Sequence, residues 1–323
     1  MIPLRDTVPA RTRPFVTQGI IVANVLVFLV QMAQGPHLER FFFYYGLVPA
    51  RYFVPHIADY FTVGEQAFAL LSFMFLHGGF WHLLGNMWSL YIFGDNVEDH
   101  LGPLRYGAFY LLCGLASGLA HMLIHRTSGV PTIGASGAIA GVMGAYFILF
   151  PGSRILTLIP ILFIPYFIEI PAYFYLGLWF LLQFLSAAGS GAAGGGVAWW
   201  AHIGGFAFGM LLLKGLDALP GTGISDPLRR AAARSTTDRL QLLRPAAQED
   251  SSDLYATVAI SSHEARTGAH KLVSVPRGFQ KRLLRVRVPA GVTEGSLLRL
   301  KGMGNPLPDG SRGDLILRIA IQS

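Results

Sequence analysis

Charge is what this sequence has least of. Of its 323 residues 13% are Asp, Glu, Lys or Arg, while 52% are hydrophobic and the mean hydropathy is +0.47. Soluble domains carry roughly a quarter charged residues, so a wholly aqueous protein is excluded and the bilayer is the first solvent to consider. Cysteine is scarcer still: Cys113 stands alone, which excludes an intrachain disulfide and a thiolate zinc site. It falls in an apolar span and reads as a buried, inert thiol. His263-Glu264 is not followed by a histidine at the HExxH spacing, so zinc metalloprotease chemistry finds no support. Gly189 to Gly194 matches GxGxxG literally, but between two apolar spans rather than in a βαβ unit, which argues against a dinucleotide site. No cofactor or metal is expected. No cleavable leader is evident, because the basic N-terminus feeds a span that runs on to about Gln34.

Five stretches lack Asp, Glu, Lys and Arg altogether: 14–38, 66–94, 106–125, 127–153 and 170–213. Each can supply a span of roughly 20 apolar residues, and the last can supply two, broken at the Gly-rich run 189–196. Six spans result, at about 15–34, 79–96, 105–124, 135–150, 171–187 and 198–216. Residues 155–168 are apolar but short and interrupted by Pro160 and Pro165, which predicts a re-entrant or interfacial piece. Basic residues fall before the first span (Arg5, Arg11, Arg13), after the fourth (Arg154) and after the sixth (Lys214, Arg229, Arg230, Arg234). That bias places both termini in the cytoplasm. The protein is thus expected as a multi-pass protein of a bacterial inner or plasma membrane. The net charge of +7 reflects topology and attraction to the membrane surface, not nucleic-acid binding.

After the sixth span, residues 217–250 are rich in Pro, Gly, Ala, Ser and Arg and read as a linker. From about Asp253 the pattern alternates at period two, through Leu254, Ala256, Val258 and Ile260, then Leu283 to Val288, then Asp314 to Ile321. Turn signals at Gly268, Gly291, Gly295 and Pro308-Asp309-Gly310 separate these strands. The fold class is therefore a polytopic six-span α-helical membrane protein followed by a small all-β domain. The expected boundaries are 1–14 basic N-terminus, 15–216 membrane domain, 217–250 linker and 251–323 β domain.

Polar side chains inside spans are costly and mark functional sites. His82 and Asn86 are four residues apart, hence on one helix face; Ser136 opens the fourth span; His202 lies near the start of the sixth. Spans two, four and six all run from the outer face inward, so their beginnings share one depth. A serine hydroxyl needs an imidazole to take its proton, and the oxyanion that follows needs donors, here the N–H of Ser136 with His82 and Asn86. Gly134 and Gly137 flank the serine. Gly137 and Gly141, facing Ala201, Gly205 and Gly209, put small residues at four-residue intervals so that two helices can approach closely. Taken singly, each feature has a plainer reading: Ser136 as a helix cap, His82 at the headgroups, the glycines as packing. Their conjunction at one depth favours catalysis. His77 with His82 reads as a structural residue beside an oxyanion donor rather than as a metal site, and His121 and His125 as interfacial.

These residues resemble the rhomboid family of intramembrane serine proteases. The run Phe75-Leu76-His77-Gly78-Gly79-Phe80-Trp81-His82-Leu83-Leu84-Gly85-Asn86-Met87 is similar to its HxxxN span, Gly134-Ala135-Ser136-Gly137 to its GxSG, and Ala201-His202-Ile203-Gly204-Gly205 with Gly209 to its histidine span. Tyr45 to Arg51 resembles the opening of its long first loop. The resemblance implies a Ser136–His202 dyad with no acidic third member, and cleavage of single-span membrane proteins near the extracytoplasmic face. It also implies a cap over the site formed by loop 188–197. Some members place a tyrosine one turn after the serine to stack on the base; here that residue is Ala140, which leaves Trp199 and Trp200 as candidates to orient His202.

The C-terminal run Val288-Pro289-Ala290-Gly291-Val292, then Gly295 to Gly304, then Gly313 to Ile319, resembles one repeat of the client-binding domain of DnaJ-type co-chaperones. It implies a groove for an extended peptide or unfolded client. A different class of function, a silent protein that captures membrane helices, has no need of two dyad residues at matched depth.

Overall fold

The computed structural model describes residues 2–10, 12–161, 164–189, 197–220, 228, 237, 240–243, 245–247, 252–277, 280–307 and 310–322. The Gly-rich cap, the arginines at 229, 230 and 234, and Pro308-Asp309 lie outside these residues. The chain forms two compact units, residues 1–232 and 233–323.

In the first unit, helices occupy all six segments read as spans: α1 (Phe15–Met32), α6 (Phe80–Leu101), α7 (Pro103–Ile124), α8 (Ser136–Leu149), α9 (Ala172–Gly189) and α10 (Trp199–Ala218). Short helices α2 (Leu38–Tyr45), α3 (Ala50–Phe53), α4 (Pro55–Ala58) and α5 (Val63–Ser72) build the long connection after α1. Among the described residues three helices, α1, α7 and α9, are each long and apolar enough to cross a bilayer. Residues 63–75 and 80–101 reach that standard together, with an 80° bend between them. With 14 residues, α8 is about 21 Å long, short of a hydrocarbon core of roughly 30 Å. It is buried from Gly137 to Tyr146 among α6, α7 and α10, so it meets protein rather than lipid. Leu26 and Leu29 on α1, Leu119 and Leu123 on α7, and Leu182 and Leu185 on α9 are exposed, as lipid-facing residues would be.

The segment expected to be re-entrant or interfacial forms a β-hairpin, β2 (Arg154–Ile161) and β3 (Ile164–Pro171), with the N-terminal strand β1 (Ile2–Asp6) added antiparallel to β2. Its prolines are compatible with this. Pro160 lies beyond the β1 register, which pairs Ile155 to Leu158, and Pro165 is on the edge strand β3, so neither removes an interior ladder bond. Asp6, at the end of β1, accepts hydrogen bonds from Tyr146 of α8 at 2.6 Å and Asn96 of α6 at 2.8 Å. Nearby, Glu98 accepts from the N–H groups of Val16 and Thr17, satisfying orphan donors at the start of α1, where Pro14 offers no side-chain cap.

The second unit holds two sheets, ordered β5-β6-β10-β9 and β4-β7-β8. Its strands are β4 (Leu240–Leu242), β5 (Ala246–Ala247), β6 (Leu254–Ser261), β7 (Ala269–Arg277), β8 (Gln280–Val288), β9 (Leu297–Leu300) and β10 (Leu315–Gln322), with helix α11 (Ser262–Thr267) after β6. The period-two pattern buries Val258, Ile260, Val286, Val288, Leu317 and Ile319 in one core. Gly268, Gly291 and Gly295 all turn with φ between 78° and 84°. Strands β4 and β5 fall inside the stretch expected to be linker. They are too short to show an alternation, yet they pair with β7 and β6.

Candidate active site

Helices α6, α8 and α10 begin at the same end of the bundle, and the chemistry gathers there. Ser136 Oγ and His202 Nε2 are 2.7 Å apart, from residues 66 apart in sequence. Small residues make that contact possible. A Cβ on Gly205 or Gly209 would collide with the carbonyls of Gly137 and Gly141, and one on Gly137 or Gly141 with Ser117 and Cys113 of α7. The glycine pairs therefore set the approach of α8 to α10, and so the reach of the imidazole to the hydroxyl.

Gly134 turns the chain into α8 with φ +132°, a conformation that side chains rarely adopt, and a Cβ there would lie 3.0 Å from His82 Cε1 and Nε2. The bare backbone lets the His82 ring stand beside the serine turn. The N–H of Gly78 donates to His82 Nδ1 at 3.2 Å, so the neutral ring carries its proton on Nε2, the nitrogen that faces Gly134. Asn86, one turn further along α6, is 9% exposed, and its Nδ2 has no hydrogen-bond partner among the described residues. A buried amide donor left unpaired is unusual and costly.

Ser136, His202, His82 and Asn86 all line one cavity of about 800 Å³, closed on another side by loop 125–134. His121 and His125, expected at the interface, line the same cavity, with ring centroids 4.7 Å apart. His77 lies beneath His82, fully buried, with neither ring nitrogen hydrogen-bonded among the described residues.

Two residues at the site were not singled out by the sequence. Gln183 Oε1 lies 2.7 Å from His202 Nδ1, and the Trp179 ring lies beside His202 with centroids 5.9 Å apart and planes tilted by 32°. Both come from α9. Trp199, a candidate for this support, meets the imidazole edge-on at 6.2 Å. Gln183 carried a readable signal, an amide inside an apolar span, of the kind that marks His82 and Asn86. Span direction does not single it out, because α9 runs opposite to α6, α8 and α10 and reaches the site with its last turns.

Comparison with known proteins agrees with both resemblances. Residues 64–216 match the Rhomboid domain, and residues 243–323 match the DnaJ C terminal domain. RHOMBOID-like protein 5 of Arabidopsis thaliana is 42% identical over 82 residues, 25% of this chain and 26% of the relative. Rhomboid protein 1, mitochondrial, of Saccharomyces cerevisiae is 30% identical over 202 residues, 60% of this chain and 51% of the relative. Inactive RHOMBOID-like protein 8 of Arabidopsis thaliana is 33% identical over 84 residues, 26% of this chain and 23% of the relative. The matches thus span between about a quarter and a half of the relatives' own lengths. The chain carries a rhomboid domain followed by a DnaJ C-terminal domain.

Proposed function

We propose that this rhomboid-domain chain is an intramembrane serine endopeptidase that hydrolyses peptide bonds of single-span membrane proteins. The observation that carries the reading is the 2.7 Å contact between Ser136 Oγ and His202 Nε2. A rhomboid domain alone does not carry it, since one relative is named inactive.

In the proposed reaction, Ser136 Oγ attacks the scissile carbonyl as His202 Nε2 takes its proton. The N–H of Ser136, His82 Nε2–H and Asn86 Nδ2–H donate to the oxyanion; the unpaired state of the Asn86 amide supports that role. His202 then protonates the leaving amine, and water, activated by the same imidazole, releases the acyl group from Ser136. All six helices span the membrane in this reading, with both termini cytoplasmic, as the basic residues flanking the first, fourth and sixth helices support. The catalytic end then faces the extracytoplasmic side, and the second unit, residues 233–323 with β4 and β5 among its strands, lies in the cytoplasm. The β domain binds extended peptide, the tails of substrates or unfolded clients.

Labelling with a fluorophosphonate probe in detergent tests the enzyme reading. Wild-type protein takes the label and Ser136→Ala does not. A wild type that stays unlabelled, or equal labelling of the two, would overturn the proposal and leave a protein that binds membrane helices without cutting them.

A further inference from the structure

A serine–histidine pair with no carboxylate leaves open what holds the imidazole in the working tautomer. His202 is buried, and its Nδ1 meets a neutral amide, Gln183 Oε1, at 2.7 Å. Which end of that amide faces His202 decides whether the site works. An amide oxygen only accepts, so Nδ1 must then carry the proton, and Nε2 offers its lone pair to Ser136 Oγ–H. Turned around, the amide would present N–H groups to Nδ1, force the proton onto Nε2 and leave Ser136 without a base.

The helix itself sets the amide's direction. Gln183 Nε2 donates to the carbonyl of Trp179, four residues earlier on α9, at 3.3 Å. With its NH2 group engaged along its own helix, the amide aims its oxygen across at α10. The Trp179 ring packs beside the same imidazole. Ala140, buried in α8, brings no aromatic ring to the base. One turn of α9 therefore supplies both the hydrogen bond and the ring that the sequence around Ser136 lacks.

We propose that Gln183 is the positioning residue of the site: it fixes His202 as the Nδ1–H tautomer and holds its ring toward Ser136, the role that an acidic residue fills in a triad. The assignment rests on the protease reading for its consequence, but not for its geometry. A neutral acceptor suits this place. It orients the ring without burying a charge, which a water-poor bundle disfavours.

The test uses full-length protein with 15N-labelled histidine in lipid nanodiscs, the His202 signals being assigned by their loss in His202→Gln. Imidazole 15N shifts distinguish the two tautomers. Wild type shows the Nδ1–H form; Gln183→Met, matched in size and a good helix former, shows a mixture or the Nε2–H form; Gln183→Glu, which keeps an acceptor oxygen, retains the Nδ1–H form. In fluorophosphonate inactivation Gln183→Met lowers kinact by about 100-fold or more with KI unchanged, since a wrong tautomer costs up to about 10⁴ in a serine protease. Gln183→Glu stays within about tenfold of wild type. A residue with only a packing role would lower stability without this split and would not be rescued by Glu. Wild type in the Nε2–H form, or Gln183→Met with an unchanged tautomer, overturns the proposal. Should the wild type fail to label at all, the protease reading falls while the tautomer measurement still decides the role of Gln183.

Discussion

Gly205 of α10 rests against the carbonyl oxygen of Gly137 of α8, with no room between them for a methyl group. The contact lies one turn from His202 on one helix and next to Ser136 on the other, so the space between the helices and the reach of the dyad are one quantity. Gly205→Ala must push the helices apart. Overpacking of this kind costs roughly 1–3 kcal/mol, and a shift of even 1 Å would break the 2.7 Å contact. Labelling of Ser136 by a fluorophosphonate is expected to fall about 100-fold, with a lower unfolding temperature. Gly215 is the control on the same helix. A Cβ there meets nothing within 4 Å, so Gly215→Ala leaves labelling unchanged and stabilises the helix by up to about 1 kcal/mol.

Asn86 separates stability from activity. Its Nδ2 is buried without a partner among the described residues, so the folded protein bears a desolvation cost there of roughly 1–3 kcal/mol. Asn86→Ala removes that cost together with the donor. Thermal unfolding should occur at the same temperature or higher, while kcat on a single-span substrate drops about 10²-fold, the usual loss of one oxyanion donor. An Asn86→Ala protein that unfolds earlier and cleaves normally would assign the amide to the scaffold instead.

Much of this site was legible because membrane helices impose strong bookkeeping. Polar residues in spans are rare, span direction fixes depth, and four-residue glycine spacing announces close packing, so Ser136, His202, His82, Asn86 and the glycines could all be named from sequence. What stayed hidden is what span direction and turn signals do not encode. Gln183 enters from a helix running the other way. The β1-β2-β3 sheet joins residues about 150 apart, and Pro160 and Pro165 suggested a break where a proline merely sits beyond a register or on an edge. In the second unit, alternation announced the long strands, but two- and three-residue strands such as β4 and β5 carry no period to read.

Asp6 makes the attachment of β1 sensitive to pH. Burial lifts its carboxyl to about 6, although the hydrogen bond from Tyr146 and the charge of Arg5 act in the opposite direction. A carboxyl whose pKa is higher folded than unfolded, where it is about 3.9, holds more protons in the folded state. Its stabilising effect is complete below about pH 4 and is lost as pH rises through about 6. The amides of β1 should therefore exchange with solvent more slowly at pH 5 than at pH 7.5, after correction for intrinsic rates. Asp6→Asn, which keeps an oxygen for Tyr146, should flatten that dependence. If the variant keeps the wild-type slope, another group is responsible.

The β unit has a buried ion pair that offers a way to disable it alone. Lys271 Nζ lies 2.6 Å from Glu264 Oε1, with side chains 1% and 8% exposed, and also donates to the carbonyl and hydroxyl of Thr237. Burial by itself would raise the Glu264 carboxyl; Lys271 and the donors of Ser261 and Thr237 outweigh it and hold it below its ordinary value. Its contribution is thus present above the unfolded carboxylate range and lost as pH falls through the lowered value. Lys271→Met leaves that carboxylate buried without its cation, a change that costs about 3–5 kcal/mol, a large share of what so small a unit can supply. The expected result is selective: unfolding of the β unit, visible as lost amide protection in β6, β7 and β10, with Ser136 still labelled by a fluorophosphonate at the wild-type rate. If the β unit chooses substrates, the same variant cuts a generic single-span reporter normally but ranks a panel of substrates differently. An unchanged ranking with the β unit unfolded would remove client binding from the proposed function and leave the protease intact.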